Sequence, residues 1–150
     1  MKIVLTTVSE ASVIIDGHIH SSIKRGFCLL VGFTHSDNQA IIDKMIDKVL
    51  ALRVFMDEKG LTNLSIHDVK GQIMSVSQFT LYADLSKGRR PSFTKAMPQA
   101  QAEALYAYFN TKLLEKFGPI ATGIFGADMK INSTNEGPFT VILDSEELFK

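Results

Sequence analysis

Apolar and polar residues alternate from Lys2 to Val8, with Ile3 and Leu5 set against Lys2, Thr6 and Val8, and this spacing predicts a strand of mixed burial. Ser12 to His20 has the pattern of a hairpin turning at Asp16-Gly17, a pair suited to the type I′ turn with its two positive-φ positions. Gly26 opens Phe27-Cys28-Leu29-Leu30-Val31-Gly32-Phe33, almost continuously apolar, as expected of a central strand covered on both faces. The period then lengthens. Ile41, Ile42, Met45, Ile46, Val49, Leu50 and Leu52 recur at helical spacing with charged residues between them, which predicts a helix capped by Asp37 and running to about Phe55. Met56 to Gly60 is its exit loop, Leu61 to Asp68 is short and interrupted by polar residues, and Gly71 leads into the next strand.

That strand, Met74-Ser75-Val76-Ser77-Gln78-Phe79-Thr80-Leu81, breaks its own alternation. Met74 and Val76 share one parity, Phe79 and Leu81 the other, and the change falls on Ser77-Gln78. A strand cannot move its buried set between parities without a bulge, an end or burial on both faces. Either the strand stops at two turn-like polar residues, or it aims N–H groups and hydroxyls into a pocket. Lys87 to Lys95 follows as a loop with Lys87, Arg89, Arg90 and Lys95 among its nine residues. It is either a solvated loop or one that touches phosphates. Pro98 suits the first turn of a second helix, striped by Ala102, Leu105, Tyr106, Phe109, Leu113 and Phe117 and ended by Gly118-Pro119. Ile120 to Phe125 and Asp128 to Asn132 read as short strands, Gly137-Pro138 as a turn and Val141 to Leu143 as the final strand. Together these predict an α+β fold: a mainly antiparallel or mixed curved sheet or open barrel with two packed helices, in one domain spanning 1–150.

Composition narrows the function classes. The formal net charge is zero, so no global field recruits nucleic acid or membrane, and a polyanion must be met by a local patch. Hydrophobic residues make up 45% and charged residues 21%, ordinary for a globular protein. The single cysteine, Cys28, excludes an internal disulfide and reads as a buried apolar group. No apolar run approaches a membrane span or a signal peptide, so a cytoplasmic protein is expected. His18 and His20 share a strand face, but two ligands make a weak metal site, and His35 and His67 are scattered. Gly-rich phosphate loops, His-Glu-x-x-His and Gly-x-Ser-x-Gly are absent. Ser77 and Thr80 are candidate nucleophiles, yet their strand holds no His, Asp or Glu to act as base. The residues alone do not choose between an enzyme and a binding module.

Two spaced motifs do. Ser77-Gln78-Phe79-Thr80-Leu81 and Asn135-Glu136-Gly137-Pro138-Phe139-Thr140 resemble those of D-aminoacyl-tRNA deacylases. Ala11-Ser12-Val13, Leu52-Arg53-Val54-Phe55, Asn63-Leu64-Ser65, Lys87-Gly88-Arg89-Arg90-Pro91-Ser92-Phe93 and Thr122 to Met129 match as well, in order and over nearly the whole chain. The resemblance implies hydrolysis of the ester between a D-amino acid, or glycine mischarged on alanine tRNA, and the terminal adenosine. It implies a homodimer with sites at the subunit interface, no cofactor and no metal. Ser77, Gln78, Phe79 and Thr80 would line the pocket, with backbone N–H groups near Phe79 and Thr80 facing the oxyanion. Gly137-Pro138 would be a cis peptide that enters the partner's pocket and rejects L side chains, with Met129 packed beside it. The 2′-hydroxyl of the substrate would assist, so Thr80 would position rather than attack. Lys87, Arg89, Arg90 and Lys95 would touch the acceptor stem.

The chain departs from the family pattern at Thr7, where an Arg that steadies the Gly-Pro element is usual, and at Ser133, Glu136 and Phe139. These bear on the tightness of L-rejection. The competing readings are a nucleic-acid-binding domain without catalysis and a small-molecule esterase using Thr80 or Ser77 as nucleophile.

Overall fold

The computed structural model describes residues 1–150. Strand β1, Lys2–Ile15, is longer than the alternation at Lys2 to Val8 predicts, and turns through Asp16-Gly17 into β2, His18–Ile23. Asp16 and Gly17 take φ of 50° and 77°, the positive pair that a type I′ turn needs. The apolar run is β3, Gly26–Gly32, with six of its seven residues buried.

Helix α1 spans Gln39–Ala51, shorter at both ends than the predicted one. Asn38, not Asp37, is the cap: its side chain accepts the Ile41 N–H. Asp37 is instead buried, where its carboxylate accepts the Thr34 N–H at 2.7 Å and pairs with the Met1 ammonium. The helix stops because Leu52 is extended and Arg53–Met56 forms β4, paired with β5, Thr62–Ser65. Phe55 thereby stacks on Phe27, centroids 5.2 Å apart.

Strand β6 is Gln72–Ser77 and ends where the parity breaks; Phe79–Tyr82 is a turn of 3-10 helix. Helix α2 follows at Gln99–Phe117, with Pro98 as its cap rather than inside its first turn. The two short strands expected after it are replaced by a two-residue β7, Ala121–Thr122, and a single long β8, Lys130–Asp144. Gly137-Pro138 does not reverse the chain. It bulges from β8 opposite β1, whose pairing skips Thr7 between Thr6↔Thr140 and Val8↔Asn135. A short α3, Ser145–Leu148, closes the chain.

The sheet is mixed. Its order is β2-β1-β3-β6-β7 with β8 on β1; β3, β6 and β7 run parallel and the other pairs are antiparallel. The Ser21 hydroxyl donates to the Thr122 carbonyl at 2.8 Å, drawing β2 towards β7 and nearly closing the curve. Val8, Val13, Ile23, Cys28, Met74 and Val76 fill the concave side. The convex side of the same strands (Ile3, Leu5, Phe27, Leu29, Val31, Ile73) packs on Ile42, Met45 and Ile46 of α1 and on Phe109 and Leu113 of α2. Burial on both faces explains why β3 reads as apolar without alternation. Burial also pushes the Cys28 thiol up to about 11, which keeps it an inert apolar group.

Candidate active site

A cleft of about 660 Å³ opens where β6 ends. Val76, Ser77, Gln78 and Phe79 form one wall, and Phe125 to Met129 with Ile131 the other. Met97, Pro98, Gln99 and Ala102 bring the start of α2 to it. Phe79 and Thr80 are the first residues of the 3-10 turn, so their N–H groups have no carbonyl to reach within it. Gln78 donates its side-chain amide to the Thr80 hydroxyl at 2.6 Å, while its own N–H is held by the Val31 carbonyl at 2.7 Å. Thr80 itself is exposed and stands just outside the cleft lining, unlike Ser77, Gln78 and Phe79. Neither the Ser77 nor the Thr80 hydroxyl has a carboxylate or imidazole as hydrogen-bond partner.

The end of β6 is fixed from behind. The Ser75 carbonyl accepts both the Tyr106 hydroxyl, at 2.8 Å, and the Gly123 N–H, at 3.1 Å. One backbone oxygen therefore ties β6 to α2 and to the segment that leads into the opposite wall. Tyr106 is buried, which raises its phenol, and its ring lies 5.9 Å from that of Phe125 in the cleft wall. The Met129 side chain lies against Gly123, where an added Cβ would come within 2.5 Å of its sulfur.

The basic loop is a small hairpin whose base is the pair Asp84–Ser92, bonded in both directions at 2.7 and 3.0 Å. Ser86 and then Lys95 hold the Asp84 carboxyl down at about 2, and Lys95 Nζ lies 3.3 Å from it. Lys87, Arg89 and Arg90 are exposed at the tip without ion-pair partners, whereas Lys95 serves the base. Phe93 meets Phe79 edge to face at 5.0 Å, which joins loop to cleft.

Gly137-Pro138 is a cis peptide, exposed, and does not line this cleft. Its bulge springs from the level of Thr7, which pairs with Phe27 and through it with Ile73, four residues before Ser77. That is roughly 13 Å along the strand. The buried Thr7 hydroxyl donates to the Glu136 carbonyl at 2.8 Å. Asn135 spans the bulge from the other side, accepting the Phe139 N–H at 3.0 Å and donating to the Thr140 hydroxyl at 2.9 Å.

Comparison with known proteins places this architecture. The family described as D-Tyr-tRNA(Tyr) deacylase matches residues 4–144. The chain belongs to this family. It is 51% identical over 150 residues to a D-aminoacyl-tRNA deacylase of Listeria innocua serovar 6a, covering all of both chains. It is 47% identical over 144 residues to one of Lactobacillus acidophilus, covering 96% of this chain and 99% of that one. Among solved structures, a c-Myc DNA Unwinding Element Binding Protein matches with a TM-score of 0.91 at 41% identity, covering 96% and 98% of the two chains. A probable eukaryotic D-amino acid tRNA deacylase shares the fold at a TM-score of 0.80 and 16% identity, over 95% and 97%.

Of the residues expected from the deacylase motifs, the fold brings Ser77, Gln78, Phe79 and Met129 together and leaves Gly137 and Pro138 apart. Phe125, Gln99 and Asp128 were not singled out from the sequence, although Phe125 and Asp128 lie within a block that matches the deacylase family. Gln99 carried no signal beyond following Pro98. His18 and His20 are exposed, and no group of three or more His, Cys, Asp or Glu side chains is arranged to hold a metal. No helix is long and apolar enough to cross a membrane.

Proposed function

We propose that the protein hydrolyses the ester of D-aminoacyl-tRNA, and of glycine mischarged on alanine tRNA, releasing tRNA and the free amino acid. The observation that carries this reading is the strand-to-turn junction, where Ser77, Gln78 and Phe79 line the cleft and the first N–H groups of the turn, at Phe79 and Thr80, have no carbonyl to reach within it. The terminal adenosine and ester occupy the cleft. The Phe79 and Thr80 N–H groups bind the oxygen that gains charge as water attacks, and the substrate's 2′-hydroxyl assists. Positioned donors of this kind are worth about 10²–10³ in rate each. Thr80, its hydroxyl held by Gln78, orients the turn; the esterase reading with Thr80 or Ser77 as nucleophile has no carboxylate or imidazole hydrogen-bonded to either hydroxyl. No cofactor or metal is required.

The chirality check comes from a second copy of the chain. Gly137-Pro138 is exposed and lies outside its own cleft, and β8 is an edge strand bonded to β1 alone, with Ile142 70% exposed on it. In a homodimer, each single-domain subunit of 150 residues inserts this bulge into its partner's cleft. Its backbone meets an L side chain and leaves room for a D side chain or for glycine. Lys87, Arg89 and Arg90 contact acceptor-stem phosphates, with Lys95 fixing the loop base, and the protein works in the cytoplasm.

A second reading, nucleic-acid binding without catalysis, is favoured by one observation, the 41% identity to a structural relative named as a DNA unwinding element binding protein. Matched D- and L-aminoacyl-tRNA, incubated with purified protein and EDTA, separate the two. Release from the D-ester alone is expected. Binding of tRNA with release from neither ester would select the binding module.

A further inference from the structure

The loop that carries Lys87, Arg89 and Arg90 and the turn that carries the Phe79 and Thr80 N–H groups are both held by one short stretch at the end of β3, Val31 to Asp37. On the turn side, the Val31 carbonyl accepts the Gln78 N–H at 2.7 Å. Gly32 packs so closely there that a Cβ would come within 2.7 Å of the Gln78 carbonyl. On the loop side, three consecutive residues each bond to the segment that leads into α2. The Phe33 carbonyl accepts the Met97 N–H at 3.0 Å, the Thr34 hydroxyl donates to the Lys95 carbonyl at 2.6 Å, and the His35 ring Nε2 donates to the Thr94 carbonyl at 2.8 Å. Lys95 is the junction: its carbonyl meets Thr34 while its ammonium lies 3.3 Å from Asp84 at the loop base. Ala96 and Met97, next along, line the cleft. Thr34 is itself fixed. It is buried, its N–H donates to the Asp37 carboxylate at 2.7 Å, and its carbonyl accepts the Asp37 N–H at 3.1 Å. The Asp37 side chain is 1% exposed and paired with the Met1 ammonium, so this acceptor is held from both sides.

We infer that Thr34 is a positioning residue: it keeps the basic loop in register with the cleft, so that phosphates bound at the loop bring the ester to the oxyanion donors. The inference rests on the tRNA ester occupying this cleft. Thr34 does not line the cleft and acts through Lys95. Its effect is therefore selective. A substrate that carries only the terminal adenosine makes no use of the register, whereas aminoacyl-tRNA gains from loop and cleft together only while their spacing is kept.

Were Thr34 present only to stabilise the fold, its loss would lower the melting temperature and leave substrate preference alone. Full-length wild type, Thr34→Val and Thr34→Ser are compared on D-aminoacyl-tRNA and on the matching 3′-O-D-aminoacyl-adenosine, and the Met97 ε-methyl is followed by carbon-13 NMR in methionine-labelled protein. Thr34→Val should cut the preference for the tRNA ester about threefold, in the lower half of what one hydrogen bond supplies because Lys95 is exposed. It should shift the Met97 methyl resonance and leave that of Met45, in the core, in place. Thr34→Ser, which keeps the hydroxyl, should restore both. A preference unchanged by Thr34→Val overturns the inference, whatever the melting temperature does. If Thr34→Val does not fold, His35→Ala, which removes the neighbouring bond from an exposed side chain, decides in its place by the same two readings. If the wild type hydrolyses neither ester, the reading of the cleft falls and the inference with it, even where the Met97 shift shows that Thr34 holds the segment.

Discussion

Replacing Thr7 by valine is the sharpest probe of how the Gly137-Pro138 bulge is held. Valine keeps the shape of the buried side chain and removes one hydrogen bond, from the hydroxyl to the Glu136 carbonyl at 2.8 Å. Such a bond is worth about 0.5–1.5 kcal/mol net. Glu136 is exposed, so water can take over its carbonyl, and the stability cost belongs at the low end of that range. The effect falls on the geometry of the bulge, because Thr7 is the side chain of β1 that grips it, and Asn135 alone remains to brace it. A shift of ~0.5 kcal/mol changes the population of the held conformation about twofold. Thr7→Val should therefore raise L-ester hydrolysis relative to D-ester hydrolysis about twofold, with little change in the D-ester rate. Thr7→Ser, which keeps the hydroxyl, should behave as wild type. Single-turnover deacylation of matched D- and L-aminoacyl-tRNA gives the ratio directly. A Thr7→Val protein with the wild-type ratio would refute both the assignment of the bulge as the chiral gate and Thr7 as its support.

Gly137→Ala should cost more activity or selectivity than Thr80→Ser: φ at Gly137 is +133° and the new Cβ would sit 2.9 Å from the Phe139 nitrogen, a misfit of about 1–3 kcal/mol. Near-wild-type kinetics for both variants would count against the assigned pocket. Tyr106→Phe removes one of two donors to the Ser75 carbonyl; it should lower the melting temperature by about 2–4 °C and depress kcat while leaving KM, and thermal melting with deacylation kinetics test both. Arg89→Ala and Arg90→Ala should each reduce the slope of log affinity for tRNA against log salt by about one, read by filter binding; unchanged slopes would return the loop to solvent. The Asp84 carboxyl, held down at about 2 by Ser86 and Lys95, contributes stability that is complete above the ordinary carboxylate range and is lost progressively as pH falls from there through about 2. An NMR titration midpoint near 3.8 would show that the loop base is not formed in solution.

Long-range burial explains which parts of this architecture the sequence disclosed. The Asp16-Gly17 hairpin and the apolar run of β3 were legible because local residue type decides them. The end of α1 was not: Val54 and Phe55 continue the apolar pattern of the helix, yet Phe55 is worth more stacked on Phe27 than in another helical turn. Asp37 has the residue type of a cap, yet the Met1 ammonium, 36 residues away in sequence, claims it and leaves the cap to Asn38. The break at Ser77-Gln78 was visible as a change of parity, but its choice between a bulge and an end depended on the 3-10 turn that follows. The cleft motif and the Gly-Pro motif were recognisable as family signatures, while their separation within one chain could come only from the register of β1, β3 and β6.

That separation has a consequence for how selectivity is built. The groups proposed to do the chemistry sit on β6, fixed by the Ser75 carbonyl to α2 and to the opposite wall. The group proposed to reject L side chains sits on β8, fixed by Thr7 and Asn135, and neither support contacts the other. Energetic perturbations at such distant, unconnected sites add nearly independently. Thr7 variants should therefore move the D-to-L ratio, Tyr106 variants the rate, and the double variant should show the sum of both in free energy. Interaction energies well above ~0.5 kcal/mol in that cycle would mean that the two supports communicate, as they would if the bulge entered a partner's cleft in the proposed dimer.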